Sequence, residues 1–207
     1  MTNVEAPSSP AALRNRGPIL EVLRPWLPDR GRVIEIASGT GEHAVYLSAA
    51  LPGLEWLPTE RDAERVAVVE ARRRAEGSAN LLQPVRLDAA RPDAWPEAAG
   101  DPPPDAIVCI NMIHIAPWTA AQGLFAGGAE RLKPGGTVFL YGPYMEADVP
   151  IAESNVVFHA SLKARDPSWG LRRLVDVDDL AAEHGFSRVG RFEMPANNLS
   201  VVYRAAG

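Results

Sequence analysis

The chain has 207 residues, 46% hydrophobic and 23% charged, with a formal net charge of −5. That is enough to bury one sizeable core and short for two, and a mildly acidic balance is poorly suited to gripping a polyanion, so no nucleic-acid partner is expected. The single cysteine, Cys109, excludes an internal disulfide scaffold, no apolar run approaches the ~20 residues of a membrane span, and the opening MTNVEAPSSP lacks a leader pattern, so a cytoplasmic protein without membrane contact is expected.

Residues 1–10, with Pro7, Ser8, Ser9 and Pro10, read as a loose tail, and residues 11–207 as one domain. A helix follows in which Pro18 suits the first turn and Ile19, Leu20, Leu23 and Leu27 share a face, before Pro25 kinks or ends it. Val33 to Ile36 is the first strand candidate, followed by Gly39 and Gly41, a helix from about Glu42 to Leu51, and a second strand over Leu54 to Leu57. The next helix runs from about Asp62 to Glu76, with Asp62 as N-cap and Gly77 as its stop. The basic run inside it, Arg72, Arg73 and Arg74, reads as a solvated face. Val85 to Leu87 is a third strand and Ala106 to Ile110 a fourth, then Thr119 to Leu132 is helical in pattern and Thr137 to Tyr141 a fifth strand. A polar insertion over about 150–173 carries one helix, Val177 to His184 forms the last helix, and Phe192 to Met194 with Ser200 to Arg204 suggests a closing hairpin. Short, continuously apolar strands alternating with helices predict a parallel sheet covered on both faces.

The informative segment is Val33-Ile34-Glu35-Ile36-Ala37-Ser38-Gly39-Thr40-Gly41, where a first strand hands over to a first helix. Glycines there permit a tight turn and a close ligand approach, and the helix start offers unpaired N–H groups. Gly39-Thr40-Gly41-Glu42-His43-Ala44 fits the dinucleotide pattern G-x-G-x-x-A, and Glu60 lies near the ~20-residue offset of a ribose-binding acid. Glu35 tips the balance away from a dinucleotide, because a pyrophosphate gains nothing from a nearby carboxylate. An acid in the first strand, then small residues, then Gly-x-Gly resembles the nucleoside-binding motif of class I methyltransferases. Asp88 matches the family position that reads the adenine amino group, and Leu132-Lys133-Pro134-Gly135-Gly136 resembles the usual lead-in to the fifth strand.

The resemblance narrows over longer stretches: Ser9-Pro10-Ala11-Ala12, Arg14-Asn15, Glu35 to Gly41, Asn111-Met112-Ile113-His114-Ile115-Ala116-Pro117-Trp118, Tyr141-Gly142-Pro143-Tyr144, Asp166-Pro167-Ser168-Trp169-Gly170 and Met194-Pro195-Ala196-Asn197-Asn198-Leu199. Together they resemble the methyltransferase-like 26 family, long catalogued as a domain of unknown function. The resemblance implies an α/β, Rossmann-like class I methyltransferase fold: a mostly parallel seven-stranded sheet with an antiparallel last strand and helices on both faces. It implies S-adenosyl-L-methionine as cofactor, held by Glu35, Ala37, Ser38, Gly39, Gly41, His43, Glu60, Arg61, Asp88, Ala89, Asn111 and Met112, with Arg14 and Asn15 folding over it. Glu60 departs from the family's more common Asp, with reach enough for a ribose.

The acceptor is expected beyond the carboxyl ends of the strands. His114 is the base candidate because imidazole titrates near neutrality, the alternative being a histidine paired with backbone at a strand end. Tyr141 is the second catalytic candidate, or pocket wall. Tyr144, Trp118, Asn155, Asn197 and Asn198 are substrate-binding candidates, with turn capping as the competing role of the two adjacent asparagines. Lys163, Arg165 and Arg172 in the insertion suit an anionic small molecule if that segment lids the site, or are simply solvated. Asn111-Met112-Ile113-His114 lacks the prolines of enzymes that methylate adenine or glutamine nitrogens. The histidines are scattered, so no metal site is expected. The expected activity is methyl transfer to a small molecule, with a nicotinamide-dependent oxidoreductase or a non-catalytic binding module as alternatives. Oligomeric state is left open.

Overall fold

Apolar runs too short to be helices, separated by Gly and Pro, drive the chain into strand–helix alternation, and a computed structural model describes residues 10–206 of it. The helices are α1 (Pro10–Leu23), α2 (Glu42–Ala50), α3 (Ala63–Glu76), α4 (Trp118–Arg131), α5 (Glu153–Arg165) and α6 (Leu174–Glu183). The strands are β1 (Gly31–Ile36), β2 (Leu54–Glu60), β3 (Val85–Arg86), β4 (Ala106–Ile110), β5 (Thr137–Gly142), β6 (Tyr144–Met145), β7 (Arg172–Arg173), β8 (Phe186–Met194) and β9 (Asn198–Ala205). Seven of them form one sheet in the order β3-β2-β1-β4-β5-β9-β8, and β6 with β7 makes a separate parallel pair. β1 to β5 pair in parallel, whereas β9 runs antiparallel to both neighbours. The expected seven-stranded sheet with its antiparallel last strand is the fold observed.

Alternate side chains of the central strands feed two cores. Ile34, Ile36, Ile107, Cys109, Val138 and Leu140 pack with α4 and α6, against Leu124, Phe125 and Val177. Val33, Val108, Ile110, Phe139 and Tyr141 pack on the other face with α1 and α2, against Ile19, Leu23 and Leu47. Glu35 lies one residue from Ile34 and Ile36, so strand alternation turns it to the α1–α2 face. Cys109 is buried in the first core, and burial pushes its thiol well above the usual range.

The structure departs from the sequence expectations in four places. α1 begins at Pro10 and runs through Pro18. The carbonyl that Pro18 cannot bond belongs to Arg14, an exposed residue that water can reach. β2 continues past Pro58 to Glu60, because Thr59 and Glu60 pair with β3 while Glu35 of β1 stays in register with Pro58. β8 is nine residues long, starting at Phe186, because β9 supports its whole length. Arg72 is not part of a solvated face: it is 7% exposed, and its Nε donates to the Thr40 carbonyl at 2.7 Å. Among the described residues, no helix is long and apolar enough to cross a membrane.

Candidate functional site

The carboxyl ends of β1, β2 and β4 open onto one cavity of about 490 Å³, within the roughly 300–1,000 Å³ range of small-molecule sites. Its floor is the turn after β1. Ala37, Gly39 and Gly41 all have left-handed backbone, with φ of 59°, 63° and 80°. For Ala37 that conformation costs about 1–2 kcal/mol, so neighbours must hold it. The Ser38 N–H donates to Thr59 O at 2.9 Å, the Thr59 hydroxyl donates to Glu35 O at 2.9 Å, and Arg72 clasps Thr40 from α3. A Cβ on Gly39 would meet no atom within 4 Å, whereas one on Gly41 would lie 3.2 Å from Val69 Cγ1. Gly39 therefore leaves space open on the cavity side, and Gly41 lets α3 approach the turn. Asn111, at the end of β4, repeats the strained conformation with φ of 61°.

Carboxylates dominate this floor. Glu60 ends β2, and its Oε1 and Oε2 accept the N–H groups of Gly39 at 2.8 Å and Arg61 at 3.0 Å. Burial raises its pKa, against the pull of those two donors. Glu35 is 1% exposed, and the Trp56 indole donates to its Oε2 at 2.6 Å. Burial pushes its carboxyl up to about 8. Asp88 lies just beyond β3, where its Oδ1 accepts the Ala90 N–H at 3.0 Å. Leu87, Ala89 and Met112 supply an apolar wall beside it. Such a set suits a ligand with a flat ring, vicinal hydroxyls and a cationic end, because each ionised carboxylate offers about four lone-pair directions and these bonds occupy only some.

The structure brings most of the expected cofactor residues together: Glu35, Ala37, Ser38, Gly39, His43, Glu60, Arg61, Asp88, Ala89, Asn111 and Met112 all line the cavity. Gly41 shapes the turn from behind. Asn15, 8% exposed on α1, places Oδ1 2.8 Å from His43 Nε2 and also bonds the Tyr141 hydroxyl. Burial lowers the His43 pKa to about 4. Arg14 is exposed and off the cavity wall, although Ala12, two residues before it, lies on the wall.

The acceptor candidates are placed differently. His114 is 5% exposed, packs edge-on to Phe158 at 5.7 Å, and is held at a pKa of about 4 by burial and then by Arg172. Its ring abuts Gly142, where a Cβ would sit 3.0 Å from Nδ1. Tyr141 and Tyr144 are buried, with hydroxyl pKa values raised by desolvation. Asn155 donates to Asn197 O at 3.1 Å, Asn197 donates to the Ser154 hydroxyl at 3.1 Å, and Asn198 bonds Pro195 O and Ala196 O. Asn155 and Asn197 tie α5 to the β8–β9 turn, and Asn198 closes the turn on itself. Trp118 faces Arg172, whose guanidinium binds the carbonyls of Ile113, Ala116 and Ser168. None of these side chains belongs to the cavity wall, which is completed instead by Ile115, Ala116, Pro117, Ala120, Asp166 and Trp169. Asp166 and Trp169 sat inside a run that marks the family resemblance. No chemistry in the run itself signalled a role, because only the folded strap after α5 brings them to the cavity. Among the described residues, no group of His, Cys, Asp and Glu is assembled to hold a metal ion.

The strand order, the acidic floor and the strained turn define a Rossmann-like fold of the class I methyltransferase kind. The chain belongs to the family described as "Protein of unknown function (DUF938)", whose model matches residues 6–205. It is 28% identical over 193 residues to the ribosomal RNA small subunit methyltransferase G of Anaeromyxobacter dehalogenans, covering 92% of this chain and 80% of that protein. Among solved structures, it resembles the mitomycin 7-O-methyltransferase MmcR, with a TM-score of 0.78, 15% identity, and coverage of 95% of this chain and 54% of that one. It also resembles human N-acetylserotonin methyltransferase, solved in complex with SAM, with a TM-score of 0.77, 14% identity, and coverage of 95% and 53%. The chain thus spans about half the length of these two enzymes, and at such identities the likeness establishes the fold.

Proposed function

We propose that this chain is an S-adenosylmethionine-dependent methyltransferase acting on a small molecule, and that its family is the one known as methyltransferase-like 26. The observation that carries the reading is the Glu60 carboxylate on the Gly39 N–H at 2.8 Å, with Glu35 buried beneath the same turn. Glu60 suits the ribose of a dinucleotide and of a sulfonium nucleoside alike, but a pyrophosphate gains nothing from Glu35 beneath the turn, whereas a cationic amino-acid end does. Glu60 then orients the ribose hydroxyls, Asp88 meets the exocyclic amine of the base, and Met112 and Leu87 flank its ring. Glu35 and His43 serve the cationic end.

When bound, the cofactor supplies an activated methyl group on a sulfonium, a good leaving group. The chain's own task is alignment and exclusion of water. Ile115, Trp169 and Ala12 contribute apolar surface to the cavity wall. The small-molecule reading is supported by the chain's net charge of −5 and by the names of the two enzymes whose fold it shares. A ribosomal RNA acceptor is the second reading, favoured by the name of the relative that covers 92% of the chain.

Calorimetric titration with S-adenosylmethionine and S-adenosylhomocysteine, with NAD as control, tests the cofactor. Micromolar binding of both sulfur ligands is expected, weakened by at least about tenfold in Glu60→Ala through loss of charged hydrogen bonds. NAD binding without either sulfur ligand overturns the proposal in favour of an oxidoreductase. Labelled methyl transfer offered to a metabolite extract and to ribosomal RNA in parallel then separates the two acceptor readings.

A further inference from the structure

Asn15 is 8% exposed, and its position between three elements is unusual for a polar side chain on a terminal helix. From α1 its Oδ1 meets His43 Nε2 on α2 at 2.8 Å, and its side chain also bonds the Tyr141 hydroxyl at the end of β5. An amide oxygen can only accept a hydrogen bond, so His43 must carry its proton on Nε2. Two charges bear on the ring among the described residues, Glu42 on its own helix and Arg16 on α1, and they oppose one another. With burial, they leave a ring that carries one proton. A ring with a single proton on Nε2 presents Nδ1 as a bare acceptor, and His43 stands on the cavity wall.

We propose that Asn15 is a positioning residue for the ligand's amino-acid end: it fixes the tautomer of His43 so that Nδ1 accepts a hydrogen bond from the ligand's ammonium group, and it makes the docking of α1 part of the site. This rests on the cofactor reading above and extends it to one atom. Tyr141 acts as the second anchor of Asn15, which gives a buried tyrosine at the end of β5 a role that does not require it to touch the acceptor.

The test uses the full chain, labelled with ¹⁵N, and reads ring protonation by two-bond nitrogen–proton correlation, with His43 identified by its absence in His43→Phe. In the wild type, His43 at pH 7 is expected to show Nε2–H and an unprotonated Nδ1. In Asn15→Leu, that tautomer preference is lost and S-adenosylhomocysteine binds roughly tenfold more weakly. Asn15→Asp keeps the acceptor oxygen but adds a charge that draws a second proton onto His43, turning Nδ1 into a donor. The ratio of wild-type to Asn15→Asp affinity therefore grows as pH falls from 8.5 to 6.5, a trend that a purely structural role would not produce. An Nδ1–H tautomer in the wild type overturns the proposal. So does unchanged affinity in Asn15→Leu, or, should that variant not fold, a flat ratio in Asn15→Asp. If the wild type binds neither sulfur ligand, the cofactor reading fails first and takes this inference with it, whatever the tautomer.

Discussion

Replacing Glu35 with Gln isolates the energetic consequence of an acid on the floor of the cavity. Glu35 is 1% exposed, and its carboxyl is pushed from 4.5 up to about 8, chiefly by burial. A raised pKa means the folded chain holds this proton more tightly than the unfolded chain. The group's contribution to stability is therefore whole below about pH 4.5 and declines as pH rises, flattening above about 8. At about 1.4 kcal/mol for each pH unit, the decline across that window is on the order of 5 kcal/mol. Gln cannot ionise, and its carbonyl can still accept the Trp56 indole N–H, so Glu35→Gln removes the decline without emptying the space. Urea denaturation at intervals from pH 4.5 to 9 is expected to show the variant gaining steadily on the wild type up to about pH 8. A cationic ligand should lower this carboxyl's pKa and so drive off the same proton that rising pH removes. Binding of S-adenosylmethionine near pH 7 should release a proton from the wild type and not from Glu35→Gln, visible as buffer-dependent enthalpy. Parallel stability curves for the two proteins would refute the reasoning, since they would mean that Glu35 titrates alike folded and unfolded.

Three further outcomes follow from the same geometry. Ala37→Gly relieves left-handed backbone at φ 59°, and after the entropic cost of a glycine it should stabilise the chain by about 0.5 kcal/mol in thermal denaturation; a loss of more than that would mean that the Ala37 methyl matters more than the strain. Arg172→Ala removes two bonds that hold the strap after α5 against the β4–α4 turn, to the carbonyls of Ile113 and Ala116, and one within the strap, to Ser168. It should cost about 2 kcal/mol and speed proteolytic cleavage within residues 150–173, and unchanged cleavage would show that the strap is held elsewhere. His114 is buried with its pKa lowered from 6.5 to about 4, so its contribution to stability is whole above about pH 6.5 and is lost as pH falls towards 4. His114→Gln should therefore flatten the acid limb of the stability profile by about 3 kcal/mol, and an acid limb identical to that of the wild type would place His114 in contact with water.

The sequence made the fold legible because its strands are short, apolar and bounded by Gly and Pro. β1, β4 and β5 are buried on both faces over nearly their whole lengths, so no polar alternation blurs them. The floor of the cavity was equally legible, since residues next to one another in the turn from Ala37 to Gly41 are also next to one another in space. The rest of the cavity wall was not. Asp166 and Trp169 reach the cavity only because Arg172 and the β6–β7 pair fold a distant segment back, a tertiary event that leaves no local pattern. Asn155, Asn197 and Asn198 carry the right chemistry for binding, but the carbonyls of the β8–β9 turn claim Asn155 and Asn198, and the Ser154 hydroxyl claims Asn197. Arg72 shows the same limit from the other side, since its charge run looks like solvent-facing helix until α3 is laid against the Thr40 carbonyl.

The position of Glu35 and Glu60 also bears on how such a site could release its product. Both carboxylates carry pKa values raised by burial, so each is costly to ionise while the cavity lacks a cation. A ligand bearing a sulfonium charge compensates that cost, and the demethylated product, which has lost the charge, compensates it less. Differential affinity of this kind shifts occupancy towards the methylated form without any moving part. The strained turn at Ala37 and the brace from Arg72 then have a shared purpose. They hold the turn against which both acids lie, so that under the proposed function the charge those acids favour is the one that methyl transfer consumes.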